Sequence, residues 1–437
     1  MDRKNYVRLD LFLLHDNSDN SLRKCIVAKG KDLKKELGVL IKIIEKNGKN
    51  KTFLVKYLMK KFSISIASAE KLIYLKRNWY PLFFIKEILV LSNKNNKKFQ
   101  IQDKIEFLKV TQPPLKVYVA KRLLSVNLCK FIGAFAADGT LSGTLIRITE
   151  NKKLTIVAFK KIIDKEFGVN SKIVKIKKSK EEWGIEFKSK VIARYITKIF
   201  GFPDGSKTYI FKEPRIIKNS SKKFREAYAL GALTFEAGVG IKNSIEFSTV
   251  NKDFRDSLCD VLQKNGLKVV IMKKKGSTGL WRFWSGKITK EEALRWQNFF
   301  ELDTEKWFKL NDYINGFSRE VNSFDEAVQI FDSIYPFQSS SKVSLKDILI
   351  VLKELKEAHR YKIVDYLVKR NDLSSYGGKW AHSLRHYLDL LKNANMITVE
   401  RRKFGKKKSF GSIVREVYIF NENVGDWRVP FRPIINC

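Results

Sequence analysis

Two short apolar stretches match each other and decide the fold of this chain. The first is Phe131-Ile132-Gly133-Ala134-Phe135-Ala136-Ala137-Asp138-Gly139, and the second is Ala229-Leu230-Gly231-Ala232-Leu233-Thr234-Phe235-Glu236-Ala237. Each predicts an apolar helix with a glycine in its middle and an acid at its end. Glycine and alanine remove the side-chain bulk that keeps packed helices roughly 8–10 Å apart. We therefore expect the two helices to lie almost backbone to backbone and to bring Asp138 and Glu236 together.

The expected position of these two acids is electrostatically unfavourable. A carboxylate at the C-terminal end of a helix faces the negative end of the helix dipole, and two neighbouring carboxylates repel each other. A divalent cation relieves both effects, and hard oxygen ligands suit Mg²⁺, which also bridges to phosphate oxygens. The pair therefore indicates a metal-dependent centre that cleaves phosphodiesters. Two buried helices whose acids merely end them are the alternative, which a single copy of the motif would favour.

The charge of the chain indicates a polyanion as its partner. Its 437 residues include 86 Lys and Arg against 46 Asp and Glu, which gives a formal net charge of +40. Attraction to phosphates supplies most non-specific affinity for nucleic acids, and 44% apolar residues are enough for folded cores. A membrane surface is a weaker candidate, because the sequence has no long apolar span.

Cysteines and histidines narrow the chemistry further. The four cysteines, Cys25, Cys129, Cys259 and Cys437, have no paired spacing, so neither a disulfide framework nor a zinc site is indicated. A reducing, cytoplasmic setting fits this pattern. No histidine lies between residues 16 and 358. Histidine-based nuclease chemistry is therefore excluded from the central region, which leaves carboxylates and lysines to perform it.

An internal repeat follows from the two stretches. The acids are 98 positions apart (236 − 138 = 98), and the same series of elements is predicted after each. Strands at residues 144–150 and 244–250 precede helices at 154–167 and 254–265, and two strands and a closing helix follow in each half. The predicted order is helix-strand-strand-helix-strand-strand-helix, twice.

The two stretches resemble the paired motifs of the LAGLIDADG homing endonuclease family, in its single-chain, two-repeat form. The resemblance implies an α+β fold with a duplicated αββαββα saddle. It also implies a monomer that cleaves double-stranded DNA with Mg²⁺ at a long pseudo-palindromic site and spreads a mobile intron or intervening element. By motif position, Asp138 and Glu236 fall on the metal-binding acids of the family. Lys207 and Lys306 resemble the family's basic residue, which polarises water or steadies the pentavalent phosphate.

The sequence departs from the family pattern at three motif positions. Ala136 and Thr234 replace the usual earlier aspartate, and neither change removes a catalytic acid. Ala237 replaces the closing glycine, and we expect this change to alter the turn that aims Glu236.

The strands of the repeats predict where DNA binds. In the first half Ile146 and Ile148 are expected to face the helices, which leaves Arg147 outward. We expect Lys175 and Lys177 to point the same way, with Arg282 as a counterpart in the second half. A curved basic sheet in the major groove can read base edges with Arg and Lys. A solvated sheet face would explain individual lysines but not the charge of the whole chain.

Two mainly α domains are predicted to flank the repeats. The predicted boundaries are residues 1–112 for a helical, helix-turn-helix-like domain, 113–222 and 223–335 for the repeats, and 342–437 for a winged helix. In the winged helix, Lys379 and Arg385 lie on or beside the candidate recognition helix. Arg401, Arg402 and Lys403 lie on its wing, where they would bind phosphate.

Two other functions remain open from the sequence. One is a non-cleaving nucleic-acid-binding protein, either a maturase or a transcriptional regulator, that kept the saddle and lost cleavage. The other is an intein that carries an endonuclease. The pair Asn436-Cys437 resembles a splice junction, but Ile435 stands where a histidine is expected.

Overall fold

Helices and small antiparallel sheets alternate along the chain. The computed structural model describes residues 6–16, 22, 25–112, 116–177, 182–205, 212–240, 244–272, 279–317, 319–334, 343–370, 379–407 and 410–430. These residues form 17 α-helices and four sheets, which is a mixed α/β architecture. The chain divides into two compact units, residues 1–237 with 247–283 and residues 238–246 with 284–437.

The N-terminal region combines helices with a small sheet. Its elements are β1 (Ile26–Lys29), α1 (Leu33–Lys46), α2 (Lys51–Phe62), α3 (Ile66–Ile73), β2 (Tyr80–Pro81), α4 (Leu82–Leu91), α5 (Lys98–Gln102), β3 (Phe107–Val110) and β4 (Val117–Val119). Apolar residues recur at helical spacing in α1, and the side chains of that stripe are buried. The strands pair antiparallel in the order β2-β1-β3-β4. The region that holds the predicted helix-turn-helix segment therefore also contains a four-stranded sheet.

The first repeat has the predicted order of elements. It contains α6 (Val126–Asp138), β5 (Gly139–Ser142), β6 (Leu145–Glu150), α7 (Lys153–Phe167), β7 (Lys172–Lys177), β8 (Glu182–Lys188) and α8 (Lys190–Arg194). Gly168 ends α7 in the left-handed conformation, with φ 64°. The strand order is β5-β6-β8-β7. A π-helical turn, Tyr195–Ile199, continues α8 and completes the predicted closing helix.

The second repeat has the same order of elements and the same strand order. After the short helix α9 (Arg215–Lys218) come α10 (Lys222–Glu236), β9 (Gly238–Val239), β10 (Ser244–Thr249), α11 (Lys252–Lys264), β11 (Val270–Ile271), β12 (Trp281–Lys287) and α12 (Lys290–Gln297). The strands are ordered β9-β10-β12-β11. In the described residues β11 is only two residues long.

The C-terminal region packs helices on a three-stranded sheet. Its elements are α13 (Glu305–Asn315), α14 (Phe324–Ile334), α15 (Leu345–Leu355), β13 (Glu357–His359), α16 (Arg360–Arg370), α17 (Lys379–Asn393), β14 (Ile397–Lys407) and β15 (Phe410–Phe420). The strand order is β13-β15-β14. Leu349, Leu391 and Trp427 are among the side chains of one buried core. The short strand β13 was not predicted from the sequence.

Among the helices of the described residues, none combines the length and the apolar character that crossing a bilayer requires.

Candidate metal and DNA-binding site

The helices α6 and α10 touch through their backbones. A Cβ atom added at Gly133 would lie 2.0 Å from the carbonyl oxygen of Tyr228, and one added at Gly231 would lie 2.0 Å from the carbonyl oxygen of Lys130. No real Cβ atom tolerates such a distance, so only glycine fits at either position. The prediction that small residues let these helices lie backbone to backbone is confirmed.

The contact between the two helices is symmetric within the repeat. Gly231 follows Gly133 by 98 positions, and Tyr228 follows Lys130 by the same 98. Gly133 and Gly231 therefore contact the carbonyls of two residues, Tyr228 and Lys130, that also correspond to each other in the repeat. The helix pair thus has the relationship that a two-fold axis between the repeats would produce.

The helix α7 runs beside α6 in the opposite direction. The hydroxyl of Ser125, which precedes α6 and caps it by accepting from the Leu128 amide at 2.9 Å, donates to Glu166 Oε1 at 2.8 Å. The rings of Phe131 and Phe167 also meet edge to face, with centroids 5.2 Å apart. The C-terminal end of α7 therefore lies at the N-terminal end of α6.

The acids at the ends of α6 and α10 are on the same side of the helix pair. Phe159 lies eight residues before the end of α7, about 12 Å along that helix, and so toward the C-terminal end of α6. Its ring meets Phe235 of α10 edge to face, with centroids 4.7 Å apart. Glu236 follows Phe235 directly, so it ends α10 on the side where Asp138 ends α6.

Both acids are half-buried, and the chain turns in the same way after each of them. Gly139 follows Asp138 with φ −84° and ψ 148°, and Ala237 follows Glu236 with φ −78° and ψ 143°. These angles are open to every residue type. The backbone angles therefore do not bear out the expectation that alanine at position 237 alters the turn, although a Cβ atom at Gly139 itself would lie 2.3 Å from Phe135 Cδ2.

The donor set at these helix ends is compatible with a hard divalent cation. Two carboxylates meet the negative ends of two helix dipoles, which favours a bound cation there. Among the residues that the structure describes, no three His, Cys, Asp or Glu side chains form a metal-binding group. A cation at this site would thus take its other ligands from water and from phosphate oxygens.

The positions of the missing aspartates are buried. Ala136 is 5% exposed, and Thr234, 98 positions later, is fully buried. The Thr234 hydroxyl donates to the carbonyl of Leu230 one turn earlier, at 2.7 Å. A carboxylate at either position would lie inside the helix pair, so the small and neutral residues suit the packing found here.

The structure describes only one of the two lysines in the predicted catalytic set. Lys306 lies in the first turn of α13, half-buried, in the second compact unit. Lys207 lies outside the described residues.

The predicted DNA-facing arginine of the first sheet is in an ion pair. Arg147 on β6 lies directly opposite Glu186 on β8, and its guanidinium forms a salt bridge with that carboxylate. The outward face of this sheet is therefore partly neutralised where the sequence predicted free positive charge.

The strand register corrects the predicted orientation of Lys175. This residue pairs with Trp183, which alternates with Ile185 and Phe187 on the face that packs on the helices. Its ammonium lies 5.7 Å from the Trp183 ring. Lys172, paired with Glu186, shares the face of Arg147 instead. A bulge after Lys175 resets the register, and Lys177 pairs with Glu182.

A repeated contact between tryptophan and cations was missed from the sequence. The ammonium of Lys153 lies 4.8 Å from the ring of Trp183, and the guanidinium of Arg255 lies 5.1 Å from the ring of Trp281. The tryptophans are 98 positions apart (281 − 183 = 98), which was a readable signal. Arg282 follows Trp281 on β12 and is half-buried.

The predicted basic residues of the C-terminal region differ in their exposure and in their ion pairs. Arg385 on α17 and Arg401 and Lys403 on β14 are exposed. Arg402 instead bonds to Glu357 at 2.9 Å and to Glu400 at 2.8 Å. Lys379 begins α17.

The solved structures that are similar to parts of this chain include homing endonucleases and a DUF199/WhiA protein. Mesophilic variants of the homing endonuclease I-DmoI are 15% identical over 39% of this chain and 86% of theirs, with a TM-score of 0.30. I-DmoI in complex with DNA and Mn is 14% identical over 36% of this chain and 87% of its own, with a TM-score of 0.28. Full-length DUF199/WhiA from Thermatoga maritima is 8% identical over 64% of this chain and 93% of its own, with a TM-score of 0.30.

No protein-family model and no curated protein matches the chain. The motifs and the helix pair therefore carry the functional interpretation.

Proposed function

We propose that this protein is a LAGLIDADG-type endonuclease that hydrolyses both strands of double-stranded DNA at a long pseudo-palindromic site. The observation that carries the proposal is the helix pair. Asp138 and Glu236 end two helices in backbone contact, on the same side, at positions related by the 98-residue repeat. A two-fold arrangement of acids matches the two-fold arrangement of scissile phosphates in a duplex.

In this proposal Asp138 and Glu236 hold Mg²⁺ between them. The cation, when bound, supplies charge neutralisation for the phosphate and lowers the pKa of bound water. The carboxylates keep the cation at the helix ends, and their half-buried position limits competition from bulk water. The basic residues proposed for the reaction are Lys207 and Lys306, as the family resemblance implies.

The proposed domains are the four predicted ones. Residues 113–222 and 223–335 each form one repeat of a DNA-binding saddle, and each repeat takes one half-site. Residues 1–112 and 342–437 bind flanking DNA, the first through α2 and α3 and the second as a winged helix. The order of α15, β13, α16, α17, β14 and β15 supports the winged-helix interpretation. A single chain suffices, because both repeats are present in it.

Cleavage of a randomised plasmid library in Mg²⁺ tests this function. Asp138→Asn and Glu236→Gln should reduce cleavage at least roughly a hundredfold and leave DNA binding in Ca²⁺ intact. Glu226→Gln is a matched control, because Glu226 lies on α10 as well and pairs only with Lys222 among the ion pairs of the described residues. Equal cleavage by Asp138→Asn and Glu226→Gln would remove the acids from the mechanism.

DNA binding without cleavage is the second candidate function. The ion pair between Arg147 and Glu186 favours it, because that pair weakens the positive face with which the first repeat would hold a scissile duplex. A maturase or transcriptional regulator would bind the library, leave it intact in Mg²⁺ or Mn²⁺, and be indifferent to Asp138→Asn.

A further inference from the structure

A cavity in the C-terminal region collects arginines from three separate segments. It has a volume of about 560 Å³ and lies where the junction of β13 and α16 meets α17 and β15. Its walls include His359, Arg360, Tyr361, Arg385, Arg415 and Tyr418. We propose that this cavity, here named the arginine cavity, binds a nucleoside phosphate.

The charge of the arginine cavity favours an anion. Among the described residues, Arg360, Arg385 and Arg415 line it together with one acid, Glu416, and the charge of Asp389 also reaches Tyr418 in its wall. Guanidinium groups bind phosphate through paired N–H donors with fixed geometry. The three guanidinium groups that line this site outnumber the carboxylates of Glu416 and Asp389, so the charges of the described residues favour a phosphate.

Glu416 is already engaged inside the cavity. It accepts a hydrogen bond from the hydroxyl of Tyr418, with an oxygen–oxygen distance of 3.1 Å. Burial, together with the charge of Glu416, raises the pKa of Tyr418 to about 12. The tyrosine therefore stays protonated at neutral pH and keeps donating to the carboxylate.

An aromatic surface adjoins the arginines. The guanidinium carbon of Arg415 lies 5.4 Å from the centroid of the Tyr361 ring, and Tyr361 is 63% exposed. An exposed ring with a stacked guanidinium is a platform on which a nucleobase can stack. Phosphate donors and a stacking platform within one cavity match the two ends of a nucleotide.

The size of the cavity agrees with this ligand. Sites for small molecules are typically about 300–1,000 Å³, and the cavity lies within that range. The nucleotide has two possible sources, a free mononucleotide and the 5′-phosphorylated end of a nucleic-acid strand. Both present the same phosphate and base to the same side chains.

The test uses the full-length protein and two probes. Calorimetry measures the binding of adenosine monophosphate, with inorganic phosphate as its reference, and fluorescence anisotropy measures the binding of a single-stranded oligonucleotide with and without a 5′-phosphate. We expect Arg385→Gln and Arg415→Gln each to weaken binding of the preferred probe by roughly tenfold or more. Tyr361→Leu should weaken adenosine monophosphate more than inorganic phosphate, because only the nucleotide has a base to stack.

Arg370→Gln is the matched control. Arg370 lies on α16 like Arg360, but it bonds to Glu354 at 2.8 Å and does not line the cavity. Binding of adenosine monophosphate identifies a free nucleotide, and binding of the phosphorylated oligonucleotide alone identifies a strand end. If Arg385→Gln and Arg415→Gln bind both probes as Arg370→Gln does, the proposal is overturned. Arg385 also belongs to the proposed DNA-binding surface of the winged helix, so the calorimetry with adenosine monophosphate, which involves neither duplex DNA nor cleavage, is the measurement that separates this proposal from the proposed function.

Discussion

Gly133 lies so close to the carbonyl oxygen of Tyr228 that no other residue type fits at position 133. The carbonyl oxygen of Tyr228 occupies the space where a Cβ atom at position 133 would lie, with only 2.0 Å between them. Because the obstacle is backbone on a neighbouring helix, no side-chain rotation relieves it. The separation of the two helices, and with it the position of both acids, depends on this glycine and on Gly231.

Replacing either interface glycine with alanine should destabilise the protein. We expect Gly133→Ala and Gly231→Ala each to reduce the free energy of unfolding by about 1–3 kcal/mol, the usual effect of overpacking. The clash with backbone should outweigh the roughly 1 kcal/mol that alanine gains over glycine inside a helix. Urea unfolding followed by circular dichroism measures the change.

Gly38 supplies the control for this prediction. It lies inside α1, and a Cβ atom there would meet only Leu75 Cδ1 at 3.5 Å, an ordinary contact. Gly38→Ala should therefore stabilise the protein by up to about 1 kcal/mol. A stabilising Gly133→Ala would show that the two helices are not in backbone contact.

The ion pair on the first sheet makes a prediction about DNA affinity. If the sheet faces DNA as proposed, Glu186→Gln releases Arg147 for phosphate. We expect tighter binding at low salt and a slope of log K against log salt that is steeper by about 0.9. Binding titrations at several salt concentrations measure both quantities. The gain should disappear in the double variant with Arg147→Ala, and an unchanged slope in Glu186→Gln would place the duplex elsewhere.

The wing offers a comparison between neighbouring arginines. Arg401 is exposed, whereas Arg402 bonds to Glu357 and Glu400. We expect Arg401→Ala to weaken DNA binding and to flatten the salt dependence by about one phosphate contact. Arg402→Ala should change binding less. The reverse order, measured in the same titration, would mean that the pairs of Arg402 open when DNA binds.

The contribution of the Asp260 carboxylate to the stability of the protein should depend on pH in a definite direction. Partial burial opposes the charge of Asp260, but hydrogen bonds from Lys264 and Arg225 outweigh burial and lower its pKa below 3.8. Stabilisation by this carboxylate is therefore fully present above pH 3.8 and is lost as the pH falls through the lower folded value. Because the side chain is 43% exposed, solvent limits the effect to about 0.2–1 kcal/mol.

Asp260→Asn checks this sign. We expect it to lower the free energy of unfolding at pH 7 and to have a smaller effect at pH 3, as measured by urea unfolding at both values. A difference from the parent protein that grows on acidification would contradict the assignment.

The buried thiols should resist alkylation. Burial raises the pKa of Cys129, and it raises the pKa of Cys259 to about 12. Both thiols therefore stay protonated and inaccessible at pH 8. We expect iodoacetamide to modify them only in urea, as detected by peptide mass spectrometry. Rapid modification of Cys129 in the folded protein would indicate that the helix pair opens.

The sequence predicted what depends on short-range pattern. The repeat of 98 residues, the glycine contact and the element order of both halves were readable because apolar spacing and small residues constrain local packing. The face of Lys175 was not readable, because it depends on how β7 pairs with β8 and on a bulge between Lys175 and Lys177. The engagement of Arg147 with Glu186 also requires the cross-strand register, and these residues are 39 positions apart.

The arginine cavity was beyond the reach of sequence patterns for a similar reason. Arg360, Arg385 and Arg415 come from two helices and a strand that are about 25 to 30 residues apart, and nothing local connects them. In a chain with 86 basic residues, any three arginines are unremarkable until the fold brings them together.

The backbone contact between α6 and α10 also bears on ancestry. Gly133 contacts the carbonyl of Tyr228, and Gly231 contacts the carbonyl of Lys130, which corresponds to Tyr228 in the first half. The contact surface is therefore isologous, meaning that both halves use the same patch. Two copies of the first repeat could join through the same carbonyls and glycines as the fused halves do. Tandem duplication of a gene that encoded a homodimer would give a single chain with the same central contact. Each half could then acquire different outer residues while both glycines were retained.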